Sequence, residues 1–212
     1  MIITKQKELS KILAKLKDKK QVFIVGCAAC ATKCATGGED QVKAMADALV
    51  KAHKSVLGYA MLDTPCDMRI VKRDLARHEQ VTKADSLVLM SCGSGVQAVA
   101  QVIENMDLVP ALDTLFLGTI ERLGNFNQYC SLCGECIIDE TGGLCPVTRC
   151  AKGLRNGPCG GAIKGKCEVN SDSDCVWVLI YDKLKKDPVA LRKYQGSKNN
   201  ATSGKPQKIK TR

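Results

Sequence analysis

Short apolar runs alternate with helix-like patterns through the first half of the chain. The runs predict strands at residues 22–26, 55–62, 86–90 and 114–118. Apolar residues that recur every three or four positions predict a helix at residues 9–16 and, between the strands, helices at 42–50, 69–78 and 96–106. Strands that alternate with helices are typical of a parallel sheet with right-handed crossovers. The pattern predicts an α/β fold, with a small Rossmann-like or flavodoxin-like domain over residues 1–122.

The pattern changes after about residue 123. Glycine, proline and cysteine crowd together, and apolar periodicity is absent until a predicted helix at 175–184. A segment with so few core residues needs metal ions to hold it in shape. We therefore predict an irregular, metal-stapled, cysteine-rich domain at residues 123–190 and a disordered basic tail at 191–212.

The positive charge is concentrated at the two ends of the chain. The net charge is +10, of which residues 1–20 contribute 7 − 2 = +5 and residues 185–212 contribute 9 − 1 = +8. Nucleic-acid surfaces interleave basic with aromatic residues, and this chain has only three Phe, four Tyr and one Trp. We expect no nucleic-acid binding and interpret the basic ends as solubilising or partner-docking segments.

The amino terminus has no continuous apolar core of an export signal, and nowhere do about eighteen apolar residues run together. These features predict a cytoplasmic protein without membrane contact. Cytoplasmic thiols are kept reduced, so the thirteen cysteines, an odd number, favour metal binding over disulfides.

Five cysteines follow the first three predicted strands. Cys27, Cys30 and Cys34 come after the first strand, Cys66 after the second and Cys92 after the third. The carboxyl ends of parallel strands meet at one edge of a sheet, where open α/β folds place their functional crevice. We expect a metal site there, with three ligands from the first loop. Cys92 is favoured as the fourth because a glycine follows it, and Cys66 is the alternative.

Eight more cysteines lie between residues 130 and 175. Cys130, Cys133 and Cys136 have the C-x2-C-x2-C spacing with which ferredoxin loops hold three corners of a [4Fe-4S] cluster. The fourth ligand stays open among Cys145, Cys150 and Cys159. Eight cysteines suffice for two clusters, and Cys159, Cys167 and Cys175 would complete the second.

Zinc is the competing metal because all-cysteine zinc sites use the same thiolates. Zinc ribbons pair two separated C-x2-C knuckles, whereas a triple run suits a cube of iron and sulfur. We expect two [4Fe-4S] clusters in the C-terminal half and one at the N-terminal site, with zinc as the alternative at one site.

Two longer segments resemble a known family. CPVTRCAKGLRNGPCGGAIKGKCEV, followed by CVWVLIYDKL, resembles the C-terminal signature of the small iron-sulfur V subunit of bacterial methylenetetrahydrofolate reductase. VGCAACATKCATGGEDQV resembles the N-terminal cysteine loop of the same family, so the resemblance spans roughly residues 21–184.

The resemblance implies a partner of the flavin-bearing, folate-binding reductase subunit in anaerobes that use the Wood-Ljungdahl pathway. It implies that Cys27, Cys30, Cys34 and the C-terminal cysteines bind clusters. On this interpretation the chain passes electrons from ferredoxin or another reductase module to the flavin and performs no carbon chemistry. The alternatives are a zinc-stapled structural subunit and a methyl- or sulfur-transfer enzyme that uses the Cys92 thiolate.

Overall fold

The computed structural model describes residues 1–186, and it divides into two compact units. The first unit is Met1–Asn127, and the second begins at Gln128. The sequence places the change of character after residue 122, which falls inside a short hairpin at residues 119–127 that the structure includes whole in the first unit. The predicted tail at 191–212 and the last four residues of the predicted second domain lie outside the described residues.

The elements of the first unit are, in chain order, β1 (Ile2–Gln6), α1 (Leu9–Lys15), β2 (Gln21–Cys27), α2 (Cys30–Lys33), α3 (Glu39–Lys51), β3 (Ser55–Leu62), α4 (Met68–Leu75), α5 (Gln80–Lys83), β4 (Ser86–Met90), α6 (Gly93–Val102), β5 (Asp107–Pro110), β6 (Leu112–Leu117), β7 (Thr119–Arg122) and β8 (Asn125–Asn127). Those of the second unit that the structure describes are α7 (Pro146–Arg149) and α8 (Val176–Leu184).

A four-stranded parallel sheet forms the centre of the first unit. Its strand order is β3-β2-β4-β5, and every neighbouring pair is parallel. The α/β fold that the sequence predicts is confirmed. β2 and β4 are almost wholly buried because helices cover both faces of the sheet, which explains why both strands are continuous apolar runs.

Alternate residues of each strand enter two separate cores. On one face, Ile24 of β2 and Val88 of β4 pack with α1 and α3. On the other face, Val25 and Leu89 pack with α4, α5 and α6. This division follows from the two-residue period of a strand, and it makes the unit a three-layer sandwich of helix, sheet and helix.

A strand forms where the fourth one is predicted, but it does not belong to the parallel sheet. Residues 114–117 lie in β6, which pairs antiparallel with β1 in a separate two-stranded sheet. The fourth parallel strand is β5, which begins directly after the predicted helix at 96–106. α6 ends at Val102 because Ile103 is extended and Asn105 has a positive φ of 57°. Local periodicity reveals neither β5, which is only four residues long, nor the pairing of β1 with the distant β6.

The second unit has a small core. Of the buried hydrophobic residues within 1–186, 28 lie in the first unit and five in the second. Four of those five, Val176, Trp177, Ile180 and Leu184, lie on α8 and form one cluster. Most of the rest of this unit is loop, so its cysteines lie in segments that hydrophobic burial does little to order.

Within residues 1–186, no helix has both the length and the apolar character needed to cross a bilayer.

Candidate metal centre

The first group of cysteines lies where the parallel strands end. Cys27 is the last residue of β2, Cys92 is the N-cap of α6 just after β4, and Cys66 follows β3. The strand order reverses direction between β2 and β4, and this switch point is where open α/β sheets bind their ligands. Topology therefore brings these three loops to one crevice.

Backbone hydrogen bonds fix the loop that carries Cys27 against its neighbours. The Cys27 N–H donates to the Gly37 carbonyl oxygen at 3.0 Å, and the Ala28 N–H donates to the Leu62 carbonyl oxygen at 2.8 Å. The Cys27 and Cys92 side chains are buried as a result, with 5% and 8% of their surface exposed. Both thiols are shielded from water.

The thiols at this edge are close enough to influence one another's ionisation. Burial raises the pKa of Cys27, and the charges of Cys30 and Cys92 raise it further. Burial also raises the pKa of Cys66, with added repulsion from Cys92, Cys27 and Cys30. The raised pKa keeps these thiols protonated in the absence of a bound cation, and a metal ion would favour their thiolate forms.

Strand β1 supplies a contact that the sequence patterns miss. The Ile2 N–H donates to the Cys30 sulfur at 3.5 Å, and the Cys34 thiol donates to the Ile2 carbonyl oxygen at 3.7 Å. β1 therefore touches the cysteine loop through its backbone. Backbone contacts of this kind leave no signature in residue type.

In the second unit, the loop at residues 130–136 turns tightly around its cysteines. The Leu132 N–H donates to the Cys130 sulfur at 3.4 Å, and Leu132 has a positive φ of 56°. Gly134 follows Cys133 with a φ of 84°, a conformation that glycine adopts without strain. N–H groups that point at sulfur stabilise the thiolate form, which is the form that binds metal.

Helix α7 separates the cysteines of this unit into two groups. Cys145 is its N-cap and Cys150 its C-cap. The Thr148 hydroxyl oxygen on the same helix lies 2.8 Å from the Ser131 hydroxyl oxygen. It also accepts a hydrogen bond from the Cys145 thiol, with 3.6 Å between oxygen and sulfur. The Arg149 guanidinium stacks on the Tyr129 ring at 5.4 Å. These contacts join Cys145 to the loop that carries Cys130.

The other four cysteines of the unit line one cavity. Cys150, Cys159, Cys167 and Cys175 surround a space of about 210 Å³. Its walls are fixed by α8, which starts after Cys175, and by a backbone bond from the Cys175 N–H to the Gly165 carbonyl oxygen at 2.8 Å. The structure thus brings together four thiols that are spread over 26 positions of the sequence.

Charged side chains share this cavity with the cysteines. Lys152 forms an ion pair with Glu168, whose carboxylate accepts from the Cys159 thiol at 3.4 Å. The hydrogen bond to Glu168 raises the pKa of Lys152, and the charges of Cys159 and Cys167 raise it further. Arg149 also lines the cavity. Cations beside four thiols offset the negative charge of a thiolate-bound cluster, so this donor set fits such a cofactor.

The side chains do not form a ready ligand shell for a single ion. Among residues 1–186, no three Cys, His, Asp or Glu side chains are arranged so that they could hold one metal ion.

The family comparison matches the half of the chain that contains this cavity. Residues 109–200 match a family model described as methylene-tetrahydrofolate reductase C terminal. This region of the chain is similar to that family. Searches of curated proteins and of solved structures found no significant match. The methylene-tetrahydrofolate reductase C-terminal region covers all eight cysteines of the second unit, and it links the chain to that reductase, as the sequence resemblance predicts.

The structure describes all thirteen cysteines that the sequence predicts as metal ligands. It divides the eight in the second unit into two groups, which residue spacing alone did not define. Of the three candidates for the fourth ligand beside Cys130, Cys133 and Cys136, it brings Cys145 to that loop. Cys150 and Cys159 line the cavity instead. The charged residues Lys152 and Glu168 were not predicted, because only the fold shows that they face sulfur. Metal ligation by the thirteen cysteines remains a prediction.

Proposed function

We propose that this chain is the iron-sulfur electron-transfer subunit of a methylenetetrahydrofolate reductase. It takes electrons from ferredoxin or another reductase module and delivers them to the flavin of the reductase subunit, in the methyl branch of the Wood-Ljungdahl pathway. The observation that carries the proposal is the cavity lined by four cysteines within the region that matches the family. Four thiolates around one cavity are the ligand set of a [4Fe-4S] cluster.

The contacts of the second unit support two ligand sets. Cys150, Cys159, Cys167 and Cys175 would hold one cluster in their cavity. The other set would use the loop at 130–136 with Cys145, whose thiol reaches that loop through Thr148 and Ser131: Cys130, Cys133, Cys136 and Cys145.

At the sheet edge, Cys27, Cys30 and Cys34 would hold a third site, with Cys92 or Cys66 as the fourth ligand. Cys30 and Cys34 both bond to the backbone of β1. The exposed Cys66 thiol interacts electrostatically with Cys92, Cys27 and Cys30.

Bound clusters would supply single-electron steps, two of which reduce a flavin that then acts on the folate carbon. The chain's own residues would do three things for this chemistry. The cysteines hold the metal, the Leu132 N–H stabilises negative charge on sulfur, and Lys152 and Arg149 offset the charge of the thiolates. Each of these influences the reduction potential of an iron-sulfur site.

Metal analysis of anaerobically isolated protein tests the proposal. We expect iron and acid-labile sulfide, with an electron paramagnetic resonance signal on reduction. The variant Cys167→Ser should lose about four iron atoms, since one missing thiolate releases one cluster. Ser173→Ala is the matched control, because it changes the same cavity wall without removing a thiol, and it should keep its iron.

Zinc without sulfide in the wild-type protein would contradict the proposal and favour a zinc-stapled structural subunit. Full iron and sulfide in Cys167→Ser would contradict the assignment of that cysteine to a cluster. Folate turnover by the isolated chain would instead indicate an enzyme in its own right.

A further inference from the structure

A groove in the first unit combines an apolar floor with lysine walls. It lies between α1 and β5 and has a volume of about 760 Å³. Leu108, Val109 and Pro110 form the floor, and Lys7, Lys11 and Lys15 stand along the wall. β5 is an edge strand of the parallel sheet, so one side of the groove is strand backbone that no further strand covers in residues 1–186.

The groove carries unbalanced positive charge. Lys7 pairs with Asp113, and Asp107 at the end of the groove pairs with Lys19. Lys11 and Lys15 are exposed, and no carboxylate within residues 1–186 lies at ion-pair distance from either. An occupant of this groove must bring negative charge to the lysines and apolar atoms to the floor.

The lysines are held in place by a well-packed helix. Ile12 and Leu16 on its inner side are almost completely buried. The Lys54 ammonium donates to the carbonyl oxygens of Leu16 at 2.5 Å and Lys19 at 2.8 Å, which ties down the end of α1. A surface presented by a fixed helix binds with little loss of conformational freedom.

The groove leads to the edge of the sheet that carries the thiols. The Lys7 N–H donates to the Ala111 carbonyl oxygen at 2.9 Å. The Ala111 N–H in turn donates to the Leu89 carbonyl oxygen, also at 2.9 Å. Leu89 precedes Cys92 by three residues, which span at most about 10 Å of extended chain. The Lys7 end of the groove therefore lies close to the strand end that leads to Cys92.

We propose that this groove is the docking surface for an acidic electron-carrier protein. That the partner carries electrons rests on the proposed function. The groove indicates the partner's surface: acidic residues that face the lysines, around an apolar patch that contacts the floor. The lysines attract the carrier, and the short path to Cys92 places it near the candidate N-terminal metal site. Charge of this kind mainly sets the rate and specificity of association.

Binding of a strongly acidic, low-potential ferredoxin to the full chain tests the proposal under anaerobic conditions. The double variant Lys11→Gln, Lys15→Gln should raise the Kd about tenfold at an ionic strength of about 0.01 M, where charges act over about 30 Å. At about 1 M salt the difference should vanish, since screening then acts within about 3 Å.

The matched control is Lys72→Gln, Lys83→Gln, which removes two exposed lysines from α4 and α5 on the opposite face of the sheet. Both double variants keep the basic carboxyl-terminal segment, so its contribution cancels. The control should bind ferredoxin as the wild type does.

Equal affinity of the two double variants would overturn the docking proposal. The proposal would also be overturned if the Lys11, Lys15 variant bound ferredoxin normally but no longer bound the reductase subunit. The groove would then be the docking surface for the reductase. Reduction of the wild-type protein by reduced methyl viologen tests the proposed function separately. A wild type with no reducible iron overturns that function, whatever the lysine variants do.

Discussion

At the scale of single residues, hydroxyl groups organise the cysteine loops of the second unit. Thr148 connects Ser131 with Cys145, and Thr141 is fully buried just before Cys145. The Thr141 hydroxyl lies 2.6 Å from the Leu144 carbonyl oxygen and 3.0 Å from that of Ile137. In a unit with so few buried apolar side chains, such bonds are a substantial part of what fixes the loops.

Replacing Thr141 by Val should lower the free energy of unfolding of the second unit by about 1–3 kcal/mol, because it leaves a buried carbonyl without its donor. Thr141→Ser keeps the hydroxyl and should lose less than about 1 kcal/mol, the contribution of one methyl group. Denaturant unfolding followed by the fluorescence of Trp177, the only tryptophan, measures both. Equal midpoints for the Val and Ser variants would show that the hydroxyl contributes nothing.

At the scale of elements, the cysteine loop after β2 must approach the end of β4 closely. A Cβ atom on Gly37 would overlap the Met90 carbonyl oxygen and lie 3.0 Å from the Ala31 Cβ. Met90 is the last residue of β4, and backbone cannot move aside as a flexible side chain can. The absence of a side chain at Gly37 thus lets the loop that carries Cys30 and Cys34 pack against the strand that leads to Cys92.

Gly37→Ala should destabilise the first unit by about 1–3 kcal/mol through overpacking, and it should speed amide hydrogen exchange in residues 28–38. Gly93→Ala at the same edge is the control, because its Cβ would meet only the Thr114 hydroxyl at an ordinary 3.4 Å. Thermal unfolding and hydrogen exchange of the full chain compare the two. Unchanged exchange in Gly37→Ala would contradict the close-approach argument.

At the scale of the whole molecule, the two units are stabilised in different ways. The first has 28 buried hydrophobic residues around a parallel sheet, and the described part of the second, residues 128–186, has five. If the proposed function holds, bound metal stabilises the second unit in place of a large core. The metal site does not exist in the unfolded chain, so the free energy of metal binding adds to the free energy of folding.

Anaerobic removal of iron by a chelator should therefore unfold the second unit selectively. Amide protection in residues 128–186 should fall, and Trp177 fluorescence should change, while β2 and β4 keep their protection. Hydrogen exchange followed by mass spectrometry resolves the two units. Protection that persists in residues 128–186 after the iron is gone would mean that hydrophobic contacts suffice for this unit.

The sequence by itself determined the strands β3 and β4 at their observed bounds, the α/β class, and the identity of the cysteines as the chemically distinctive residues. Local periodicity carries this information because β4 is a buried, continuous apolar run and β3 is a mostly apolar run bounded by polar residues. It missed β1, and it assigned the strand at 114–118 to the wrong sheet, since a pairing of Ile2 with Leu117 depends on contacts across almost the whole first unit.

Only the tertiary structure decided how the eight C-terminal cysteines are grouped. Spacing allowed Cys145, Cys150 or Cys159 to complete the first set, and spacing cannot say which way a loop turns. α7 places Cys145 beside Thr148 and Cys150 on the cavity wall, so the two caps of one helix belong to different groups. The physical reason is that a thiol's neighbours depend on backbone direction over many residues, whereas residue spacing records only separation along the chain.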